Sequence, residues 1–217
     1  VGSEMCIRDR EKTEAYKDQD HINMLIYSDA SMPDRTEAIL GKHVNEVADK
    51  MLDDIRLLER AGCKAIFVTC NTAHFFVDML SDKVETPIVH MIDETVKSIQ
   101  YKSMGKKVAV LATEGTVKTG LYQKRLEASG MEPFVPPRTM QNMITEQIYG
   151  KVKKGLPGDV EVWKAILTDL QAENVAAAIM GCTELSVIKK QCGLPDIFVD
   201  PLEILAEKAI VFSGKKV

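Results

Sequence analysis

What most limits the fold of this chain is a regular succession of short apolar runs and helix-patterned stretches. Residues 22–27 (INMLIY) read as a strand, and residues 28–35, with Pro33, as a loop. From Val44 the apolar positions fall at Val47, Ala48, Met51, Leu52, Ile55 and Leu58. That three-four spacing predicts an amphipathic helix over 44–61, with Gly62 ending it. Strands are expected at 65–69 and 88–90, and helices over 72–80 and from Asp93 to Tyr101. After a break at 104–107 the pattern restarts with a strand at 108–112, a helix over 116–129 stopped by Gly130, and a proline-rich loop around a short strand. Helices over 139–153 and 159–173, a strand at 175–180, a helix over 184–191, a strand at 197–199 and a helix over 201–212 complete it. Strands alternating with helices form parallel sheets covered by helices. The expected fold class is therefore α/β. It comprises two subdomains over 11–104 and 105–200, with the last helix, 201–213, returning to the first.

Composition narrows the partners. A formal charge of −4 gives no reason to expect nucleic acid or an anionic membrane surface. No apolar run approaches the roughly 20 residues needed to span a bilayer. The start lacks the basic-then-apolar order of a signal peptide, so a cytoplasmic location is expected. The five cysteines are odd in number and irregularly spaced, as in a chain that keeps its thiols reduced. The absence of a Cys-x-x-Cys pair argues against a structural zinc site. Residues 1–10 (VGSEMCIRDR) have neither apolar period nor strand character and resemble the translation of sequencing-adapter read-through. They are read as a tail outside the fold, and Cys6 is set aside with them.

The chemistry-bearing feature is an internal echo. One half carries Ala65-Ile-Phe-Val-Thr-Cys70-Asn71-Thr72, the other Ala177-Ala-Ile-Met-Gly-Cys182-Thr183-Glu184. Each is a buried strand followed by a cysteine, a threonine and a helix. Ligands of parallel sheets bind at the carboxyl ends of strands, where both cysteines lie. Nearby helix N-termini favour a thiolate there. Thr72 and Thr183 are placed to cap their helices or to meet a substrate carboxylate. A single cysteine at a strand end is usually a small buried hydrophobe, the reading given to Cys63 and Cys192. Two matched cysteines instead suit racemisation, in which a base on one face of Cα removes a proton and an acid on the other delivers one.

At these residues the sequence resembles the aspartate/glutamate racemase family, on the aspartate side. Cys70-Asn-Thr-Ala-His74 and Gly181-Cys-Thr-Glu184 look like its two cysteine motifs. Asp18-Gln-Asp-His21 and Pro33-Asp-Arg-Thr36 look like further signatures, so the resemblance runs from about residue 11 to the end. It implies two pseudo-symmetric subdomains with the site between them, a small amino-acid substrate, no pyridoxal phosphate or other cofactor, no metal, and a homodimer. It makes Cys70 and Cys182 the acid–base pair. It gives the α-carboxylate and ammonium groups to Asn71, Thr72 and Thr183, and sets Arg35 on the side-chain carboxylate. Thr113 lines the second half, and Lys154 is taken from Lys151, Lys153 and Lys154 as a further contact. One departure is that the strand and Gly-Gly-Met type loop opening the family have no counterpart here, so unpaired strand edges are expected.

Competing readings are a broad-specificity amino-acid, glutamate or hydantoin racemase, a maleate isomerase, an inactive protein that binds an acidic amino acid, and a zinc site of Cys70, His74 and Cys182. His74 is expected either to orient a thiol or to sit capped at a helix start. Glu184 is expected to be no more than a first-turn dipole residue.

Overall fold

The computed structural model describes residues 2–217 apart from Lys42, Ser103 and Met104, so part of the expected break lies outside the described residues. In chain order the elements are α1 (Gly2–Lys12), α2 (Arg35–Ile39), α3 (Val44–Arg60), β1 (Ile66–Phe67), α4 (His74–Leu80), β2 (Ile88–Val89), α5 (Met91–Tyr101) and β3 (Lys107–Ala112). They continue as α6 (Glu114–Thr119), α7 (Leu121–Ala128), β4 (Glu132–Phe134), α8 (Arg138–Thr145), α9 (Val160–Ala172), β5 (Ala177–Gly181), α10 (Thr183–Cys192), β6 (Phe198–Val199) and α11 (Pro201–Phe212). The α/β expectation holds. β1 and β2 form a two-stranded parallel sheet, and β4-β3-β5-β6 a four-stranded parallel one.

The four-stranded sheet is apolar on both faces, as a helix-covered parallel sheet must be. Val108, Val110, Ala177 and Ile179 pack against Tyr122 and Leu126 of α7 on one side. Leu111, Ala178 and Met180 pack against Trp163 of α9 and Leu185 of α10 on the other. The smaller sheet sits over Met51 and Ile55 of α3 and Phe76 of α4. α3 ends as its sequence predicts: Gly62 has φ +83°, and the Cys63 N–H reaches back to the Leu58 carbonyl (3.1 Å).

Four expectations need correction. Residues 2–10, expected as a tail outside the fold, belong to α1, which lies on α11 with Met5 buried beside Leu202, Leu205 and Ala209. Arg8 pairs there with buried Asp200 (3.0 Å), whose carboxylate also caps α11 through the Leu202 N–H (2.9 Å). The helix expected over 116–129 breaks at Gly120 (φ +68°) into α6 and α7. The helix expected over 139–153 leaves α-geometry at Glu146–Lys151, a π-helical turn, and ends in a 3₁₀ turn, Val152–Lys154.

The fourth correction concerns residues 22–27, which form no strand. None of the backbone groups of residues 23–27 enters a backbone hydrogen bond among the described residues, and Leu25, Ile26 and Tyr27 are exposed. A slot of about 860 Å³ separates this segment from β1, walled by Leu25, Tyr27, Ala65, Phe67 and Phe212. The Ile66 N–H points away from the slot, to the Pro87 carbonyl (2.9 Å). By strand alternation, the backbone groups of Ala65 and Phe67 face it.

Candidate active site

Three strands deliver a residue each to one cavity of about 320 Å³. Cys70 follows β1 by three residues, Thr113 directly follows β3, and Cys182 directly follows β5. The cavity is lined by Cys70, Asn71, Thr72, Thr113, Cys182, Thr183 and, from the loop and helix α2, Asp34 and Arg35. Seven of the eight residues expected at the site are thus brought together. The eighth, Lys154, is exposed and does not line the cavity; Lys153 does. Its Nζ stands 4.3 Å from the Tyr149 ring centre and 3.9 Å from an Asp34 oxygen. Both lysines follow the π turn, whose i→i+5 hydrogen bonding rotates later side chains from the face that a 3.6-residue period assigns.

The two cysteines sit in opposite electrostatic surroundings. Cys182 is the N-cap residue of α10, and its thiol donates to a Glu184 carboxylate oxygen at 2.8 Å. Burial, then the Glu184 charge, pushes the Cys182 thiol well above its ordinary pKa. Glu184 also accepts from the Thr183 hydroxyl (3.3 Å) and lines the cavity, so it is more than a dipole residue. Cys70 instead has Arg35 for a neighbour. Burial works to lower the Arg35 pKa, but Cys70, then Asp34 and Glu184, outweigh it and hold that guanidinium above its usual value. Arg35 is tethered at the first position of α2. Its Nη1 donates to the Pro33 carbonyl (3.0 Å), and Asp34 caps the helix by accepting from the Glu37 N–H (3.0 Å).

The two halves are tied together by hydroxyls. Thr72 Oγ1 lies 2.8 Å from Thr116 Oγ1 and 3.3 Å from Thr113 Oγ1, and Thr36 donates to Thr113 at 3.4 Å. Neither Thr72 nor Thr183 caps its helix through its side chain; Thr113 caps α6 instead, accepting from the Thr116 N–H (3.4 Å). Gly115 permits this junction. A Cβ there would come within 2.9 Å of Thr36 Oγ1 and 3.1 Å of Thr36 Cα. Asn71 is fixed from the opposite half, for the Tyr122 hydroxyl donates to its Oδ1 at 2.5 Å. Burial raises the Tyr122 pKa, so the phenol stays protonated and the amide nitrogen is the end left for a ligand.

His74 does not orient a thiol. Its Nε2 accepts from the Met91 N–H (3.0 Å), so Nδ1 carries the proton and donates to the Cys70 carbonyl (2.8 Å). Full burial, with the neighbouring His90 adding to it, lowers its pKa to about 3. Both nitrogens are engaged, which removes it from the Cys70–His74–Cys182 metal set. No group of three or more candidate metal ligands occurs among the described residues. No helix among them is long and apolar enough to cross a membrane. Sequence reasoning also missed Tyr149, whose ring enters the cavity from the π turn; no local pattern marks it.

The sequence model of the Asp/Glu/hydantoin racemase family matches residues 2–209. A broad specificity amino-acid racemase of Bacillus subtilis is 26% identical over 200 residues, covering 90% of this chain and 84% of that protein. A glutamate racemase of Aquifex pyrophilus is 28% identical over 137 residues, covering 62% of this chain and only 51% of that longer protein. Among solved structures, the aspartate racemase of Picrophilus torridus superposes with a TM-score of 0.79 at 28% identity, covering 99% of this chain and 89% of that one.

Proposed function

This chain belongs to the Asp/Glu/hydantoin racemase family, and on that premise we propose that it racemises a free acidic amino acid, aspartate foremost, without a cofactor. Cys70 and Cys182 act as the two bases, and Arg35 and Lys153 receive the side-chain carboxylate. The observation that carries this reading is that the two cysteines, one from each sheet, line a single cavity together with Arg35. A bidentate guanidinium fork matches a carboxylate. The aspartate racemase of Picrophilus torridus supports the substrate, and the Bacillus subtilis relative makes broader specificity the alternative.

In the reaction, one cysteine thiolate removes the α-proton and becomes a thiol. The other thiol delivers its proton to the opposite face of the carbanion and becomes a thiolate. The α-proton is weakly acidic, so the carbanion needs stabilisation from fixed donors around the α-carboxylate. Asn71 Nδ2 and the Thr72 hydroxyl are the donors assigned to it, with Thr183 lining the cavity while its hydroxyl donates to Glu184, and the lost proton goes nowhere but to sulfur. A reducing cytoplasmic setting suits two unoxidised thiols, and the reading includes a homodimer.

The test is chiral chromatography of L-aspartate incubated with the chain in deuterated water, with a thiol reductant and no added cofactor. Racemisation with deuterium appearing at Cα is expected. Cys70→Ala and Cys182→Ala should each lower it by roughly 10²–10⁴-fold, the usual worth of a positioned acid or base. Near wild-type racemisation by either variant would refute the two-base reading. Faster turnover of a neutral amino acid than of aspartate would favour the broad-specificity alternative.

A further inference from the structure

We propose that Glu184 is a positioning residue that holds Cys182 in its thiol form and aims it into the cavity, so that the two cysteines enter turnover unequal, Cys182 as the acid and Cys70 as the base. The inference rests on the two-cysteine reading above and adds to it the group that sets the starting protonation state.

The geometry carries it. Glu184 Oε2 accepts from Cys182 Sγ at 2.8 Å and from Thr183 Oγ1 at 3.3 Å. The carboxylate is therefore held against the sulfur by a second donor on the same helix turn. A thiol has one proton, and a carboxylate that accepts it leaves the sulfur protonated and fixed in rotation about its Cα–Cβ bond. The opposite cysteine has no such acceptor among its described hydrogen-bond partners and lies beside a guanidinium. A negative neighbour opposes ionisation of a thiol, and a positive one favours it. The titratable groups facing Cys182 from the surrounding elements are Glu184 on its own helix, Cys70 across the cavity and Tyr149 from the π turn. Arg35 and Lys153 line the same cavity. Of these, Glu184 alone is both anionic and hydrogen-bonded to the sulfur.

The proton balance is direct. The Cys70 thiolate takes the α-proton from one enantiomer and becomes a thiol. Cys182 turns its S–H from Glu184 to Cα by rotation about Cβ–Sγ, gives the proton to the other face and becomes a thiolate beside the Glu184 carboxylate. The carboxylate repels that product state, which favours return to the starting form, Cys70 giving its proton to water and Cys182 taking one from it.

The experiment compares wild type, Glu184→Gln and Glu184→Asp. The pH dependence of iodoacetamide alkylation at Cys182 and at Cys70 is read site by site by mass spectrometry, alongside the pH profile of kcat/KM for aspartate. In Glu184→Gln, the Cys182 alkylation midpoint is expected to fall by at least one pH unit, a tenfold gain in thiolate below it, while the Cys70 midpoint stays in place. The alkaline limb of kcat/KM should fall with it, because Cys182 must be protonated to act as the acid. Glu184→Asp, which keeps the charge, should recover most of the wild-type midpoint. A Cys182 midpoint unchanged in Glu184→Gln, or one that moves equally for both cysteines, overturns the proposal. Alkylation needs no turnover. An alkylation shift in a protein that does not racemise aspartate would sink the racemase reading while leaving the role of Glu184 intact.

Discussion

Replacing Tyr122 by Phe removes one oxygen and nothing else from a side chain with no exposed surface. The ring keeps its packing against Val110, Ala112 and Ile179. What is lost is the donor to Asn71 Oδ1, and Asn71 is only 2% exposed, so its acceptor is left buried and unpaired. Leaving a buried polar atom unpaired costs about 1–3 kcal/mol. With an unfolding entropy of roughly 2.1 cal/mol/K per residue over 217 residues, each kcal/mol lowers Tm by about 2 °C. The expected drop is therefore roughly 2–7 °C by calorimetry. The same bond fixes which end of the amide meets the ligand. Freed from it, Asn71 can turn its oxygen toward the substrate carboxylate and lose a charge-assisted bond of about 1.5–3 kcal/mol. kcat/KM for aspartate should fall roughly tenfold or more, and kcat should fall with it, because the amide is assigned to the charge that develops on the carbanion. A cycle with Asn71→Ala should give a coupling of at least about 0.5 kcal/mol. A lower Tm with unchanged kcat/KM would refute the ligand role of the amide, and an unchanged Tm would refute the worth assigned to the buried bond.

Two further outcomes follow from the geometry. Lys153→Met should raise KM for aspartate several-fold, whereas Lys154→Met should leave it within about twofold; equal effects would remove the π-turn register argument. His74 has a folded pKa of about 3 against 6.5 when unfolded, so the unfolded chain binds the extra proton between those values. Its contribution is complete above about pH 6.5 and is lost progressively as pH falls toward 3. Urea midpoints at pH 7, 5 and 4 should fall more steeply for wild type than for His74→Gln, and parallel slopes would contradict it.

The parts of the fold legible in the sequence were those specified by contacts close in the chain. The 44–61 pattern matches α3 to within a residue because its apolar stripe and its Gly62 stop are both local. Pro201 marks the first turn of α11 for the same reason. The paired cysteines were legible because strand, cysteine and helix start are adjacent in each half. Residues 22–27 show the opposite case. An apolar, β-branched run is a strand only if another strand supplies its hydrogen bonds, and that is a property of the partner. Lys153 could not be singled out from Lys151 and Lys154 because a π turn carries no periodic signature, and the role of Glu184 was missed because its value lies in where the Cys182 sulfur points. The helix formed by residues 2–12 was missed because its docking depends on Asp200, far along the chain.

The unpaired lips of the slot beside β1 bear on how the molecule behaves in company. The backbone groups of Ala65 and Phe67 on one side, and those of residues 23–27 on the other, form an open edge, the arrangement that natural sheets blunt with charge, proline or a bulge. Among the described residues that wall the slot, Lys64 alone is charged. Any extended segment from another molecule can add there by main-chain pairing alone, with little regard for its side chains. At this edge it is backbone groups rather than side chains that stand ready to pair, and a single proline placed at position 65 or 67 would remove one donor that faces the slot.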